Sequence, residues 1–181
     1  MKAYYFATKE RKLQYGDDRQ IILGETHSVK GKIKACSNGL HASENILDAL
    51  SYAPGAILYL VKLSGEMNKD YDKVAAQHRT YLQELDVTEV LKKFARMQAL
   101  INIKKVKPYC SVEDYKLIIE WLKNGDETLQ SAAESAAESA AWSTAAWSAA
   151  ESTAESAAWS AANNMLLNLL ETETGLNWRI S

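Results

Sequence analysis

"AILYLVKLSGEMNKDYDKVAAQHRTYLQEL", residues 56–85, contains two runs that set the class of fold. "AILYLVKLSG" (56–65) is dominated by β-branched, aromatic and aliphatic residues and ends at Gly65, as strands do. "EMNKDYD" (66–72) is turn-prone, and "DKVAAQHRTYLQEL" (72–85) reads as a further strand. Upstream, "KAYYFAT" (2–8) and "QIILG" (20–24) carry the same signature. "KGKIKAC" (30–36) alternates Lys30, Lys32 and Lys34 with small or apolar partners, which suits a half-exposed strand. Between them "SENILDALSYA" (43–53) has the helical period: Ser43 as cap, Ile46, Leu47, Leu50 and Ala53 as apolar face, Pro54-Gly55 as stop. The expected class is α+β, with a small mixed sheet in a domain of residues 1–86.

From Asp86 the period becomes helical. "DVTEVLKKFARMQALINIKKV" places Val90, Leu91, Phe94, Met97 and Ile101 on one face, with Asp86 and Glu89 in capping-box spacing. "SVEDYKLIIEWLKNG" repeats the signal with Ser111 and Asp114, an apolar face of Tyr115, Ile118, Ile119 and Leu122, and Gly125 as C-cap. Residues 87–125 thus form a two-helix section. Residues 126–174 contain neither Gly nor Pro; one helix over them would run roughly 65–70 Å. Residues 175–181 are a tail.

Composition bounds the function. With 181 residues and 47% hydrophobic side chains the chain can bury a core. "MKAYYFATKERK" has no leader pattern and no run reaches the ~18 apolar residues of a membrane span. The expectation is a soluble, cytoplasmic protein with no membrane partner. Cys36 and Cys110 lack CxxC spacing and suit a reducing compartment. The net charge of −2 hides an asymmetry: residues 1–125 hold 20 Lys+Arg against 15 Asp+Glu, whereas 126–181 hold Arg179 against eight acids.

"ESAAESAAWSTAAWSAAESTAESAAWSAA" (134–162) is a tetrad repeat, x-Ser-small-Ala, with Trp142, Trp147 and Trp159 at x positions. A four-residue step drifts about 40° around a straight helix, so no single groove holds all three tryptophans. Either one helix is packed on several sides, its small faces admitting close neighbours, or the segment breaks into shorter helices. Both point to self-association, through Trp142, Trp147 and Trp159 or through Met165, Leu166, Leu169 and Leu170 of "NNMLLNLLETE". The competing reading is a solvated spacer helix.

The densest polar cluster is "ACSNGLHASENILDALSYA" (35–53), with a turn at Asn38-Gly39 and His41 just beyond it. Cys36 as nucleophile with His41 as base is one possible chemistry. No zinc spacing joins Cys36 and His41 to His27, His78 or Cys110, so no metal is expected. Phosphate loop, G-x-S-x-G elbow and paired-carboxylate signatures are absent. Lys92, Lys93, Arg96, Lys104, Lys105 and Lys107 form a basic patch that suits nucleic acid, without an aromatic platform beside it.

The cluster resembles a family of uncharacterised phage and prophage proteins that share a C-x-x-G-[FL]-H-A turn, an "LxY" helix, a strand ending in "SGE" and a "DKVAA…T…REL" strand. Here these are Cys36, Gly39, Leu40, His41 and Ala42; Leu50 and Tyr52; Ser64, Gly65 and Glu66; Asp72 to Ala76, Thr80 and Glu84-Leu85, the last reading "LQEL". The likeness covers about residues 1–90. It implies a phage accessory protein in the bacterial host cell, a non-enzymatic, self-associating module whose partner is a host protein, such as a defence (CRISPR) nuclease. No cofactor is implied. The same stretch is similar in layout to the "G-[IL]-Y-F-A … S-x-x-Y" strand and helix of ADP-ribosyltransferase-like folds, with His41 where those enzymes have tyrosine and Tyr52 matching the helix tyrosine. That second likeness implies NAD as cofactor and Glu66 or Glu84 as catalytic glutamate, although His-Gly-[ST] is missing from the first strands.

Overall fold

The computed structural model describes residues 1–105, 107–133 and 155–180. They fall into two compact units, Met1–Val90 with Ala161–Ser181, and Leu91–Ser160.

The first unit is built on a five-stranded antiparallel sheet: β1 (Lys2–Ala7), β2 (Thr26–Ser28), β3 (Leu40–Ala42), β4 (Ile57–Lys69) and β5 (Val74–Asp86). The order is β1-β4-β5-β2, with β3 also pairing β5. β4 runs on through "EMNK", so the turn is tighter than the sequence suggests, and Asp70 N–H donates to the Lys73 carbonyl across it at 2.8 Å. Register shifts between Leu60 and Val61 and between Ser64 and Met67 mark bulges, which bend a long hairpin. A lone bridge between Tyr4 and Ser43 ties β1 to the chain just after β3, so the sheet curls back towards itself.

Strand alternation divides β1 into two faces. Ala3, Tyr5 and Ala7 join Tyr59, Val61, Leu63 and Tyr81 in one core, into which Leu13 and Ile21 of the β1–β2 connection plug. The other face carries Tyr4 and Phe6, both buried. There the Tyr4 hydroxyl donates to the Trp178 carbonyl at 2.5 Å. Helix α1 (Ile46–Ser51) lies against β1, and its Leu47 N–H donates to Asn163 Oδ1 at 3.3 Å. Leu166, Leu170 and Trp178 are 0% exposed.

Several expectations are corrected. "QIILG" forms no strand: Gln20 makes one bridge to Lys12, and Ile21 is anchored by its N–H on the Arg11 carbonyl at 2.7 Å. "KGKIKAC" is a looped turn because Gly31 (φ 87°) and Cys36 (φ 62°) take left-handed conformations that interrupt extended backbone. Asn45, not Ser43, holds the N-cap position of α1, its side chain donating to Asp48 instead of capping a backbone N–H, and the Ser43 backbone is spent on Tyr4.

The second unit holds most of α2 (Thr88–Asn102) and all of α3 (Val112–Asn124). Ser111 caps α3 as expected, its Oγ accepting the Asp114 N–H at 3.0 Å, and Gly125 closes it at φ 67°. Ile118 and Leu122 pack with Leu100, Ile103 and Trp121. Residues 127–133 are helical, as is α4 (Glu155–Thr174); 134–154, with Trp142 and Trp147, lie outside the described residues. α4 begins in the second unit and ends in the first. Among the described residues no helix is long and apolar enough to cross a membrane.

Candidate functional site

The site grows out of β5. Arg79 and Tyr81, two residues apart, project to the same side of the strand. Arg79 is only 2% exposed. Its Nε and one terminal nitrogen donate to the Tyr81 hydroxyl at 3.1 and 3.0 Å, and the other terminal nitrogen donates to the His41 carbonyl at 2.6 Å. The guanidinium lies 3.7 Å from the Tyr5 ring centroid, a desolvated cation–π contact. Among the described residues no carboxylate comes within ion-pair distance of it. A buried charge normally has an opposite partner, because desolvation costs several kcal/mol. The neighbouring carboxylates are committed elsewhere: Glu84 takes Arg11 at 2.7 Å and the Tyr59 hydroxyl at 2.6 Å, and Asp17 takes Arg19 at 2.7 Å.

Hydrogen-bond accounting fixes the protons here. The Tyr81 oxygen accepts twice from Arg79, so its own proton goes to His27 Nδ1, 2.9 Å away. His27 is therefore neutral with its proton on Nε2, and burial, then Arg19 and Arg79, hold its pKa below the usual imidazole value.

The second half of the site is the 36–41 turn. Gly39 is required: a Cβ there would lie 2.8 Å from the Ala75 Cβ, and its φ is 144°. Asn38 Nδ2 ties the Lys30 and Lys32 carbonyls at 2.9 and 3.1 Å. His41 Nε2 accepts the Cys36 N–H at 3.1 Å, and its pKa is depressed by burial and by the charges of Lys73 and Arg79. The ring closes the turn with its lone pair occupied. At the C-terminus of α1, the Tyr52 hydroxyl donates to Asp72 at 2.5 Å and accepts from Lys73 at 3.1 Å. Lys73 lies over the Tyr52 ring at 4.2 Å, its charged form favoured by the Tyr52 hydroxyl and then the Cys36 thiol.

Arg79, Lys73, His41, Tyr52, Tyr5 and Tyr15 are among the walls of a cavity of about 690 Å³. Cys36, Asn38, Gly39, His41 and Tyr52, all singled out in the sequence, line it. Glu66 does not: it is exposed on β4, its carboxylate accepting the Ile33 N–H at 3.3 Å. Sequence reasoning missed Arg79, Lys73, Tyr81 and Tyr15. The available signal was Arg79 two residues before Tyr81 in a strand.

The remaining candidates do not line the cavity. Leu166, Leu169 and Leu170 are buried and Met165 half-buried within the first unit, where they hold the C-terminal segment to its own domain. Trp159, in the second unit, is 46% exposed. Lys92, Lys93, Lys104, Lys105 and Lys107 are exposed in the second unit, with Arg96 half-buried.

The domain is thus a curled antiparallel sheet bordering an open cavity with cationic and aromatic walls. Residues 1–93 match the family described as a domain of unknown function (DUF7666), and the chain belongs to that family. No curated protein and no solved structure matches the chain.

Proposed function

We propose that the first unit is a binding module for a small molecule carrying an oxyanion, seated in the cavity on Arg79 with Lys73 as second cation. The observation that carries this is the buried guanidinium without a carboxylate. Of its five N–H donors, three are used by Tyr81 and His41, leaving one on each terminal nitrogen. That is the donor pair that meets two oxygens of one anionic group. Binding fits the site better than catalysis by the residues first suspected. His41 is neutral with Nε2 occupied, and neither Glu66 nor Glu84 lines the cavity, which weighs against NAD-dependent transfer. Calorimetric titration of the full chain with inorganic phosphate at low salt should show saturable binding, weakened at least about fivefold by Lys73→Ala, the loss of one charge-assisted contact. No heat with phosphate, or unchanged affinity in Lys73→Ala, sinks the reading.

A second, compatible role rests on the exposed Trp159 and the tetrads before it: self-association, presenting several domains to a protein target in a bacterial cytoplasm. The family resemblance suggests that this target is a host factor met by a phage protein. Light scattering of the full chain and of a chain lacking 134–154 tests it. An oligomer that becomes a monomer on deletion supports the role; a monomeric full chain ends it.

A further inference from the structure

Resting on the anion reading, we propose that the ligand is an aromatic ring bearing a phosphate, and that Tyr15 is the residue that stacks on the ring. A cavity of about 690 Å³ is of the size that encloses drug-sized molecules, far more than a bare oxyanion fills. Arg79 and Lys73 supply two positive charges, the complement of a phosphate's charge of about −2 near neutral pH. Asp17 also lines the cavity but is ion-paired to Arg19, and Asp72 accepts from the Tyr52 hydroxyl.

The argument for the ring comes from the rim. Residues 11–21 form a small loop with both feet in the core: Leu13 and Ile21 are 5% and 3% exposed. Leu13 N–H donates to the Arg19 carbonyl at 3.0 Å and Ile21 N–H to the Arg11 carbonyl at 2.7 Å. Asp17 and Arg19 brace the loop through a two-pronged ion pair at 2.9 and 2.7 Å, and Arg19 also donates to the Ser28 carbonyl at 3.0 Å. This braced loop carries Tyr15 at its tip, in a left-handed conformation (φ 63°) followed by Gly16 at φ 82°. Tyr15 is fully exposed at 103%, has no hydrogen-bond or ring partner among the described residues, and yet borders the cavity. Folding alone gives no reason to hold a large aromatic in a disfavoured backbone conformation with nothing to pack against. A planar ring entering beside it gives one, since stacked aromatics gain beyond simple burial. The other aromatic walls are engaged: Tyr5 lies under Arg79, and Tyr52 under Lys73. Leu13, Val29 and Leu40 provide the apolar lining for the ring's edges.

The test is calorimetric titration of the full chain and of Tyr15→Ala and Tyr15→Phe with two probes, inorganic phosphate and phenyl phosphate. The wild-type chain should bind phenyl phosphate about tenfold more tightly than inorganic phosphate. Tyr15→Ala should erase most of that preference while leaving inorganic phosphate unchanged, and Tyr15→Phe should retain it. If phosphate binds but phenyl phosphate binds no better, or if Tyr15→Ala leaves the preference intact, the ring proposal is overturned and the anion reading survives. If neither probe binds, the anion reading fails and takes the ring with it.

Discussion

Two buried regions of the first unit meet at β1 and are built on opposite principles. On the Tyr4 side the C-terminal segment seals the sheet with Leu166, Leu170 and Trp178, an apolar seat tied down by the Tyr4 hydroxyl on the Trp178 carbonyl and by the Leu47 N–H on Asn163 Oδ1. Burial pushes the Tyr4 pKa up to about 12, so this phenol stays protonated and keeps donating throughout the physiological range. On the Tyr5 side the interior holds Arg79, Tyr81 and His27 in a polar chain beside a cavity. The first region gains stability from its buried apolar surface, enough to carry the Trp178 indole N–H without a hydrogen-bond partner among the described residues. The second carries an unneutralised charge that a stability-driven core would discard, and that contrast separates what holds the fold from what it is for.

The comparison breaks most visibly at Trp178. Trp178→Ala should cost about 3–5 kcal/mol, as large-to-small changes at fully buried aromatics do, measured as a drop in urea midpoint. A chain cut after Gly125 loses Trp178, Leu166 and Leu170 together and should not hold a native sheet. A cut chain with the urea midpoint of the full chain would show that the C-terminal seat contributes nothing. For oligomer tests, internal deletion of 134–154 is therefore the sound route.

Arg79→Met is expected to give a smaller loss, at most about 1–2 kcal/mol. Replacing a buried charge by an apolar chain of like volume is often neutral, although here the His41 carbonyl loses its donor. Phosphate binding should vanish in the same variant. A loss equal to that of Trp178→Ala would recast Arg79 as a structural keystone and collapse the distinction between the two regions.

Acid should act on the polar region alone. His27 and His41 both have depressed pKa values, chiefly through burial. Above the unfolded-state value of about 6.5 both are neutral folded and unfolded, and their contribution is complete. As pH falls through 6.5 the unfolded chain takes up protons that the folded chain refuses, so stability declines until the lower folded values are reached. The neighbouring Asp17, lowered by its hydrogen bond to Arg19, loses its contribution only at more acidic pH, near the ordinary carboxylate range. Urea midpoints at pH 7.5, 6.5 and 5.5 should fall along the series, and less steeply in His27→Gln. Protonated His27 would also aim a third donor at the Tyr81 oxygen, so phosphate affinity should drop over the same interval. A flat profile from 7.5 to 5.5 would remove His27 and His41 from the account.

The sheet was legible where local pattern and burial agree. β1, β4 and β5 are long apolar or alternating runs, and Ser111 and Gly125 mark α3 at both ends. β2 and β3 are three residues each, too short for any period to show, and exist because β5 offers them an edge. The turn half of the site was visible through Asn38, Gly39 and His41. The charged half was not, because Arg79 acquires its meaning from Tyr5, 74 positions earlier, and from the absence of a carboxylate among its described neighbours. In the same way, the heptad-like leucines of "NNMLLNLLETE" reveal an apolar stripe but not what it faces. Here it faces its own domain.

The smallest effect on stability belongs to Tyr15. Its side chain contacts nothing that unfolding would break, so Tyr15→Ala should move the urea midpoint by no more than about 0.5 kcal/mol. Tyr15→Gly should raise stability slightly, since φ 63° strains any residue with a Cβ and glycine accepts it. A protein that keeps tyrosine where glycine would fold better is giving up stability for something other than folding. If Tyr15→Gly instead lowers the midpoint by more than 1 kcal/mol, roughly what a lost packing contact costs, the ring is part of the core and not of the site.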